Sequence, residues 1–167
     1  PGSNESIYYG TTINHTISRT PSVGSVGYLT SSNTDVATVT ATSATNLSIV
    51  AGYLGTTTIS VAHYAPNGNY INADIKTFTV TVVQAPWPTI TINPSSKTVT
   101  YGAANFTISV SGYPSGTTLS WSSNVTSVAS IYSGSTSATV TIDPKNVGSA
   151  TITCTLTNPY YQGNSIT

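Results

Sequence analysis

The stretch that decides the fold is residues 55–59, GTTTI, because it recurs about 92 residues later as residues 148–152, GSATI. Three further blocks recur in the same order and at nearly the same spacing. They pair residues 9–10 with 101–102, residues 14–18 with 105–109, and residues 32–37 with 123–129. Four matched blocks in one order indicate that the chain contains two homologous modules.

Each module consists of short runs in which Val, Ile or Tyr alternate with Ser or Thr. A period of two is typical of β-strands, and turn residues separate the runs every roughly 8 to 12 positions. The pattern predicts an all-β protein of two tandem antiparallel β-sandwiches, module 1 (residues 1–84) and module 2 (residues 85–167). They are joined by the short Pro-rich linker Gln84-Ala85-Pro86-Trp87-Pro88, whose two prolines are expected to stiffen the joint.

The alternation also predicts where the strands lie and which side chains face the core. Trp121 and the single cysteine, Cys154, fall on core faces. Tyr9 and Tyr101, each followed by Gly, are expected to form a structural corner in both copies. The predicted strands of module 1 are residues 7–9, 12–18, 26–30, 36–40, 46–50, 56–63 and 75–83. Those of module 2 are residues 89–93, 98–101, 105–111, 118–122, 128–132, 138–142 and 149–156.

Charge is scarce along the chain, which has 4 Lys+Arg, 4 Asp+Glu and a formal net charge of zero. The cations are single and scattered, so neither nucleic-acid binding nor a polybasic membrane patch is expected. No apolar run is long enough to insert into a membrane. Ser and Thr make up about a third of the residues. A neutral, hydroxyl-rich surface associates readily, because no net charge keeps copies apart. The four cations are Arg19, Lys76, Lys97 and Lys145.

The residues that carry the repeat resemble a known family. Residues 31–39, SSNTDVATV, then residues 49–59, IVAGYLGTTTI, and residues 68–70, GNY, are similar to the bacterial immunoglobulin-like (Ig-like) repeat of group 2 type, which occurs in tandem in surface adhesins. Residues 97–102, KTVTYG, resemble the start of related repeats in large, low-charge microbial surface proteins. The resemblance implies two Ig-like sandwiches in an extracellular array on a bacterium or archaeon. It implies no catalytic residue and no particular ligand.

Aligning the copies shows that each lacks a strand of the other. Module 1 has no equivalent of residues 89–92, and module 2 has none of residues 77–83, because residues 166–167 match residues 75–76. An open edge leaves backbone donors and acceptors that another strand can pair with. Two explanations stay open: the chain is a window from a longer array whose adjacent residues supply the strands, or subunits complete one another by strand addition along a filament. The expected partners are thus copies of the chain or adjacent modules of the same polypeptide.

Candidate glycosylation sites are the five Asn-x-Ser/Thr sequons of the chain. Asn14 and Asn105 occupy the same place in the two modules, and strand alternation predicts that both face outward. The alternative is that these residues are simply solvated. The five acceptors are Asn4, Asn14, Asn46, Asn105 and Asn124.

Nothing in the sequence has the spacing of a catalytic or metal site. His15 and His63 lack a cysteine or carboxylate at ligand spacing, and no serine lies in a nucleophile motif. We therefore expect no enzymatic activity, no metal and no cofactor. Alternation places His15 inward, at the position of Phe106, and Asp35 is expected in a turn with its side chain bonded to nearby backbone. The carboxylates lie one at a time, at Glu5, Asp35, Asp74 and Asp143.

Aromatic and apolar residues near the joint and the incomplete C-terminal edge are the predicted assembly residues, namely Trp87, Tyr160, Tyr161 and Ile166. Together these features predict a structural subunit or spacer of an extracellular microbial surface filament or array, held together by β-strand pairing and module packing. Two alternatives share the same features. One is an adhesin module that binds glycans or proteins on other cells, and the other is an Ig-like decoration or fibre protein of a virus.

Overall fold

The computed structural model describes residues 3–18, 24–64, 75–161 and 163–167, which form strands and turns. Contacts divide the chain into two compact units, Pro1–Ala85 and Pro86–Thr167, which carry module 1 and module 2. Arg19, Asp74 and residues 68–70, named above, lie outside the described residues. The side chains of Tyr64 and of residues 164–166 are likewise not described.

The strands of module 1 form two sheets, one with the order β1-β7-β6-β3 and one with the order β2-β5-β4. The described neighbours are antiparallel, as predicted, except β1 and β7, which are parallel. Because each connection reverses the chain, the first and seventh strands run in the same direction when they become neighbours. The strands are β1 (Glu5–Tyr8), β2 (Thr12–Thr16), β3 (Ser25–Ser31), β4 (Ala37–Ala41), β5 (Asn46–Ala51), β6 (Gly55–Tyr64) and β7 (Lys76–Val83).

The strands of module 2 form sheets with the orders β11-β12-β9-β8 and β10-β13-β14. The first, second, fifth and fourth strands thus share one sheet and the third, sixth and seventh share the other, which is the strand arrangement of an immunoglobulin constant-type sandwich. In module 1 the second to seventh strands have the same order, and the first strand, which aligns with residues 97–101 rather than with β8, pairs with the seventh. Both modules are therefore Ig-like. The strands are β8 (Thr91–Asn93), β9 (Phe106–Ser111), β10 (Thr118–Ser123), β11 (Ala129–Ser133), β12 (Thr139–Pro144), β13 (Ile152–Thr157) and β14 (Asn164–Ile166).

Each module has its own apolar core between its sheets, made by the inward residues of alternating strands. Leu47, Ile49 and Val80 are fully buried in module 1, as are Val140 and Leu156 in module 2. Trp121 and Cys154 lie in the core of module 2, as the alternation predicts. The Trp121 indole Nε1 donates to the carbonyl of Ser137 at 2.8 Å, so its polar atom is satisfied.

Two local expectations are wrong. Residues 98–101 are not a strand, although their sequence alternates, because the position beside them that β7 fills in module 1 holds no strand among the described residues of module 2. Asp35 lies in the turn between β3 and β4, but the side chain that bonds backbone there is Asn33, whose Oδ1 accepts the Asp35 amide at 3.1 Å. The backbone carbonyl of Asp35 instead accepts the Tyr53 amide at 2.7 Å.

One buried hydroxyl ties β3 to β6 in module 1. The Thr57 side chain is 2% exposed, and its Oγ1 lies 2.8 Å from Ser31 Oγ and 3.1 Å from Ser32 Oγ. It also accepts the backbone amide of Asn33 at 2.9 Å. Since a buried donor without an acceptor is costly, this hydroxyl holds the end of β3 in place.

We expect Thr57→Val to lower the free energy of unfolding by about 1 to 3 kcal/mol, because valine fills the same space but leaves the Asn33 amide without its acceptor. Thr56→Val is the matched control, since the Thr56 hydroxyl is exposed and lies 3.2 Å from Thr81 Oγ1. Its effect should stay within about 0.5 kcal/mol. Urea unfolding followed by circular dichroism measures both changes, and equal losses at the two positions would contradict this role for Thr57.

Burial raises the pKa of the Cys154 thiol, so the fold favours its neutral form and protects it from thiol reagents. We expect 5,5′-dithiobis(2-nitrobenzoic acid) to react with native Cys154 about a hundredfold or more slowly than with the unfolded chain at pH 8. The control is Val147→Cys in a Cys154→Ala background, because Val147 is 85% exposed. Fast reaction of native Cys154 would show that it is not buried.

The thiol pKa of Cys154 is higher in the folded protein than in the unfolded chain. The contribution of the neutral thiol to the free energy of unfolding is therefore present at neutral pH, and it is lost as alkaline pH ionises the thiol.

Candidate functional site

The start of β6 in module 1 and residues 148–152 in module 2 are equivalent in space as well as in sequence. Gly55 has a φ of +143° and Gly148 a φ of +147°. A Cβ at Gly55 would lie 3.1 Å from Val36 Cγ2, and one at Gly148 would lie 2.8 Å from Val128 Cγ2. The same glycine thus packs on the same valine in both modules, so positions can be transferred between them.

In module 1, β7 lies between β1 and β6 and pairs with both. Its Val80 is opposite Glu5 of β1 on one side and opposite Thr57 of β6 on the other. Its alternate residues Phe78, Val80 and Val82 are buried and complete the core. β7 therefore pairs with a strand on each side, and its inward side chains cover one side of the core.

In module 2 the equivalent space is a groove of about 630 Å³. Residues 97–101 line it on the side that β1 takes in module 1, and residues 147–152 line it on the side of β6. Core side chains also line it, including Phe106 and Ile142. The groove therefore lies at the position of β7. It is bounded by the equivalents of β1 and β6, the two strands with which β7 pairs in module 1.

Only the first part of the β7 position is occupied in module 2. β14 pairs with β13, with Ile166 opposite Cys154, as Lys76 is opposite Val61 in module 1. The sequence match that set Ile166 against Ile75 is therefore off by one residue. Thr167 already lines the groove. By this register Thr167 is the equivalent of Thr77.

The backbone of residues 148–152 offers hydrogen bonds toward the groove. Thr58 in module 1 bonds toward β3, since its carbonyl accepts the Ser32 amide at 2.9 Å. Its equivalent Thr151 likewise bonds toward β10, where its amide donates to Asn124 Oδ1 at 2.7 Å. Because successive residues of a strand direct their backbone groups to opposite edges, Ala150 and Ile152 direct theirs toward the groove.

Burial differs between the modules at the matched positions around this space. Ile7, Val36 and Ile59 are at most 6% exposed in module 1. Their equivalents Val99, Val128 and Ile152 are only partly buried in module 2.

Tyr9 packs against the core of module 1, and its amide donates to the Val83 carbonyl of β7. Tyr101 lies in the equivalent turn, where the Ala103 amide donates to the Thr100 carbonyl at 3.0 Å as the Thr11 amide donates to the Tyr8 carbonyl at 3.1 Å. The predicted corner therefore recurs in both modules, although the Tyr101 side chain is 71% exposed and lines the groove. Among the described residues of module 2, β14 is the counterpart of only the start of β7, and no residue takes the place of Val83 beside Tyr101.

The groove is almost uncharged. Of the described residues that line it, Lys97 alone carries a charge. The Lys97 ammonium lies 5.5 Å from the centroid of the Phe106 ring, within cation–π range. An apolar or hydroxyl-bearing ligand therefore suits the groove better than a charged one.

Most of the sequon asparagines are exposed, and three of them accept hydrogen bonds, Asn4 and Asn124 from backbone amides and Asn46 from a side chain. Asn4, Asn14, Asn105 and Asn124 are exposed, whereas Asn46 is partly buried. Asn4 Oδ1 accepts the Thr79 amide at 3.1 Å, and Asn46 Oδ1 accepts the Thr16 hydroxyl at the same distance. Glycosylation of these residues stays a prediction.

The predicted assembly residues fall in two places within module 2. The rings of Trp87 and Tyr161 are 5.4 Å apart, and Trp87 packs against the core of this module. Tyr160 is partly buried next to Tyr161, and Ile166 lies in β14. Their part in assembly stays a prediction.

The two histidines are bound into module 1. His15 is 6% exposed, its Nδ1 lies 3.0 Å from Glu5 Oε1, and its ring stacks on Phe78 at 4.3 Å. His63 Nε2 lies 3.1 Å from the Ala44 carbonyl. Across the described part of the chain, no three His, Cys, Asp or Glu residues are grouped to hold a metal ion. The same residues contain no helix long and apolar enough to cross a bilayer.

No protein-family model matches the chain, and no curated protein sequence matches it. Similar solved structures include the D00-D0 domain of intimin, at 15% identity and a TM-score of 0.38, covering 98% of this chain and 94% of that one. The fibronectin(III)-like modules of CbhA from Clostridium thermocellum give 15% identity, a TM-score of 0.35 and coverages of 99% and 88%. Murine CEACAM1b gives 14% identity, a TM-score of 0.34 and coverages of 96% and 93%. The Ig-like assignment of each module rests on its own strand order.

Proposed function

We propose that residues 1–167 form a two-module structural segment of an extracellular surface array or filament, in which modules are joined by strand pairing and packing. The observation that carries this proposal is the repetition of one Ig-like strand order in two modules, each with its own core. Modules repeated in tandem gain stability from their neighbours, as repeat arrays do.

The surface of the strands supports a structural role in an aqueous medium. Along β13, the core residues Cys154 and Leu156 alternate with the exposed residues Thr155 and Thr157. With so few charges, the outward faces consist largely of hydroxyl groups. Such a face stays hydrated without attracting nucleic acid or anionic lipid, which suits a spacer.

The exposed tyrosines of module 1 do not favour an adhesin patch on its larger sheet. Tyr8 is 50% exposed and Tyr28 is 39% exposed. They lie on β1 and β3, which are the opposite edges of that sheet. A binding surface built from aromatic rings would require neighbouring strands to present them together.

We expect an antibody raised against residues 1–167 to label the outside of intact cells that produce the protein. Brief protease treatment of those cells should release fragments that contain the epitope. Labelling of a cytosolic protein before and after permeabilisation is the control for intact cells. Immunogold microscopy measures the location, and signal found only after permeabilisation would contradict the proposal.

A further inference from the structure

Two of the five sequon asparagines differ from the other three in what their side chains do. We infer that Asn14 and Asn105 are the acceptors of N-linked glycans, whereas the other three serve the fold through hydrogen bonds. The glycan is bonded to the amide nitrogen Nδ2 of each acceptor. Its attachment rests on the extracellular location in the proposed function, because such sequons are modified in secreted proteins.

The other three sequon asparagines each accept a hydrogen bond that joins separate parts of their module. Asn4 Oδ1 accepts a backbone amide of β7 at 3.1 Å, and Asn124 Oδ1 accepts the Thr151 amide at 2.7 Å. Asn46, which is partly buried, accepts the Thr16 hydroxyl of β2 at 3.1 Å. Since asparagine commonly holds backbone and turns in this way, the fold alone accounts for these three residues.

The fold does not account for Asn14 and Asn105. Both are exposed, and within the described part of the chain neither carboxamide has a hydrogen-bond partner. Asn14 lies in the middle of β2, although asparagine is depleted in strands. A residue that opposes the local structure and makes no side-chain hydrogen bond in return indicates a functional position. At both sites a threonine follows two residues later, as the sequon requires.

The registers put Asn14 and Asn105 on the same face of equivalent sheets, but not in the same place. The β2 residue before Asn14 is opposite Ile49, and the β9 residue after Asn105 is opposite Ile142. These two isoleucines are equivalent, since both are fully buried and precede the equivalent glycines by the same number of residues. The sequence match of the two asparagines is therefore off by two residues. A shift of two keeps the side chain on the same face, so both sites lie on the outside.

The surface beside Asn14 offers a contact for the first sugar. Val50 on β5 is 44% exposed, and it is opposite Thr12, the neighbouring outward residue of β2. Among the described residues of β2, β4 and β5, it is the one large apolar side chain that is exposed. Diagonal neighbours on antiparallel strands lie about 7–8 Å apart, a distance that an asparagine extended by a sugar spans. The C–H groups of the sugar cover Val50 there, while its hydroxyl groups face water.

The transfer is a substitution at the anomeric carbon of an activated glycan whose leaving group is a diphosphate. The bond between Nδ2 and that carbon forms as the bond between the carbon and the phosphate oxygen breaks. The phosphate oxygen keeps the electron pair, and the amide gives one proton to a base of the transferase. The asparagine side chain therefore stays uncharged, in keeping with the neutral surface of the chain.

The test maps glycans on the protein purified from the cells that produce it. Chymotrypsin cleaves after aromatic residues and separates all five sequons, because such residues lie between them, namely Tyr9, Tyr28, Tyr53 and Trp121. Tandem mass spectrometry of the denatured and digested protein should find a glycan on the peptides that contain Asn14 and Asn105, and none on the other three. A glycan on any of the other three would overturn the inference, as would its absence from Asn14 or Asn105.

Matched variants separate the sequon from the fold. Thr107→Val should abolish the glycan at Asn105 and keep the one at Asn14, whereas Thr107→Ser should keep both, because serine retains the hydroxyl of the sequon. Thr107 is exposed and makes no side-chain hydrogen bond with the described residues, so both variants are expected to fold. Asn124→Gln should keep both glycans but lower the melting temperature, because it misplaces the acceptor of the Thr151 amide. A glycan that persists at Asn105 in Thr107→Val would contradict the assignment.

The outcome for the glycans is separable from that for the location. Antibody labelling of intact cells together with unmodified Asn14 and Asn105 would refute the acceptor sites alone. Glycans at both residues of a protein found only inside cells would refute the extracellular location and leave the acceptor sites standing. Absence of both labelling and glycans would refute both.

Discussion

The two-sided pairing of β7 is the interaction on which the structure of module 1 depends. This strand forms one ladder with β1 and another with β6, and its alternate residues Phe78, Val80 and Val82 close the core. Its presence lets β1 exist as a strand, since β1 pairs with β7 in its sheet. Stacking of His15 on Phe78 depends on it as well.

In module 2 the described residues fill only the start of the equivalent position, with β14. Its core remains closed where β9, β10, β12 and β13 face one another, with Val140 and Leu156 fully buried. The change is confined to the side where residues 97–101 and 147–152 face the groove. The remaining ladders of module 2 do not pass through the β7 position, so its sheets keep the Ig-like order among the described residues.

Strand positions in this chain could be predicted from alternation, and pairing could not. Asn14 and His15 illustrate the success, since one is exposed and the other buried as the period of two requires. Residues 98–101 illustrate the failure, because they alternate equally well yet form no strand. Turn contacts were also out of reach, since alternation does not show that the Asn33 side chain accepts the Asp35 amide while the Asp35 carbonyl accepts the Tyr53 amide.

The sequence by itself determined that there are two copies of one module, which residues face each core, and that the surface is neutral and rich in hydroxyl groups. These follow from local periodicity and composition, which need no knowledge of neighbours. Only the tertiary structure decided that β1 and β7 are parallel, that β14 occupies the first part of the β7 position, and that a groove continues from it. A β-ladder requires a second strand at hydrogen-bonding distance, and segments far apart in sequence meet only in the folded chain.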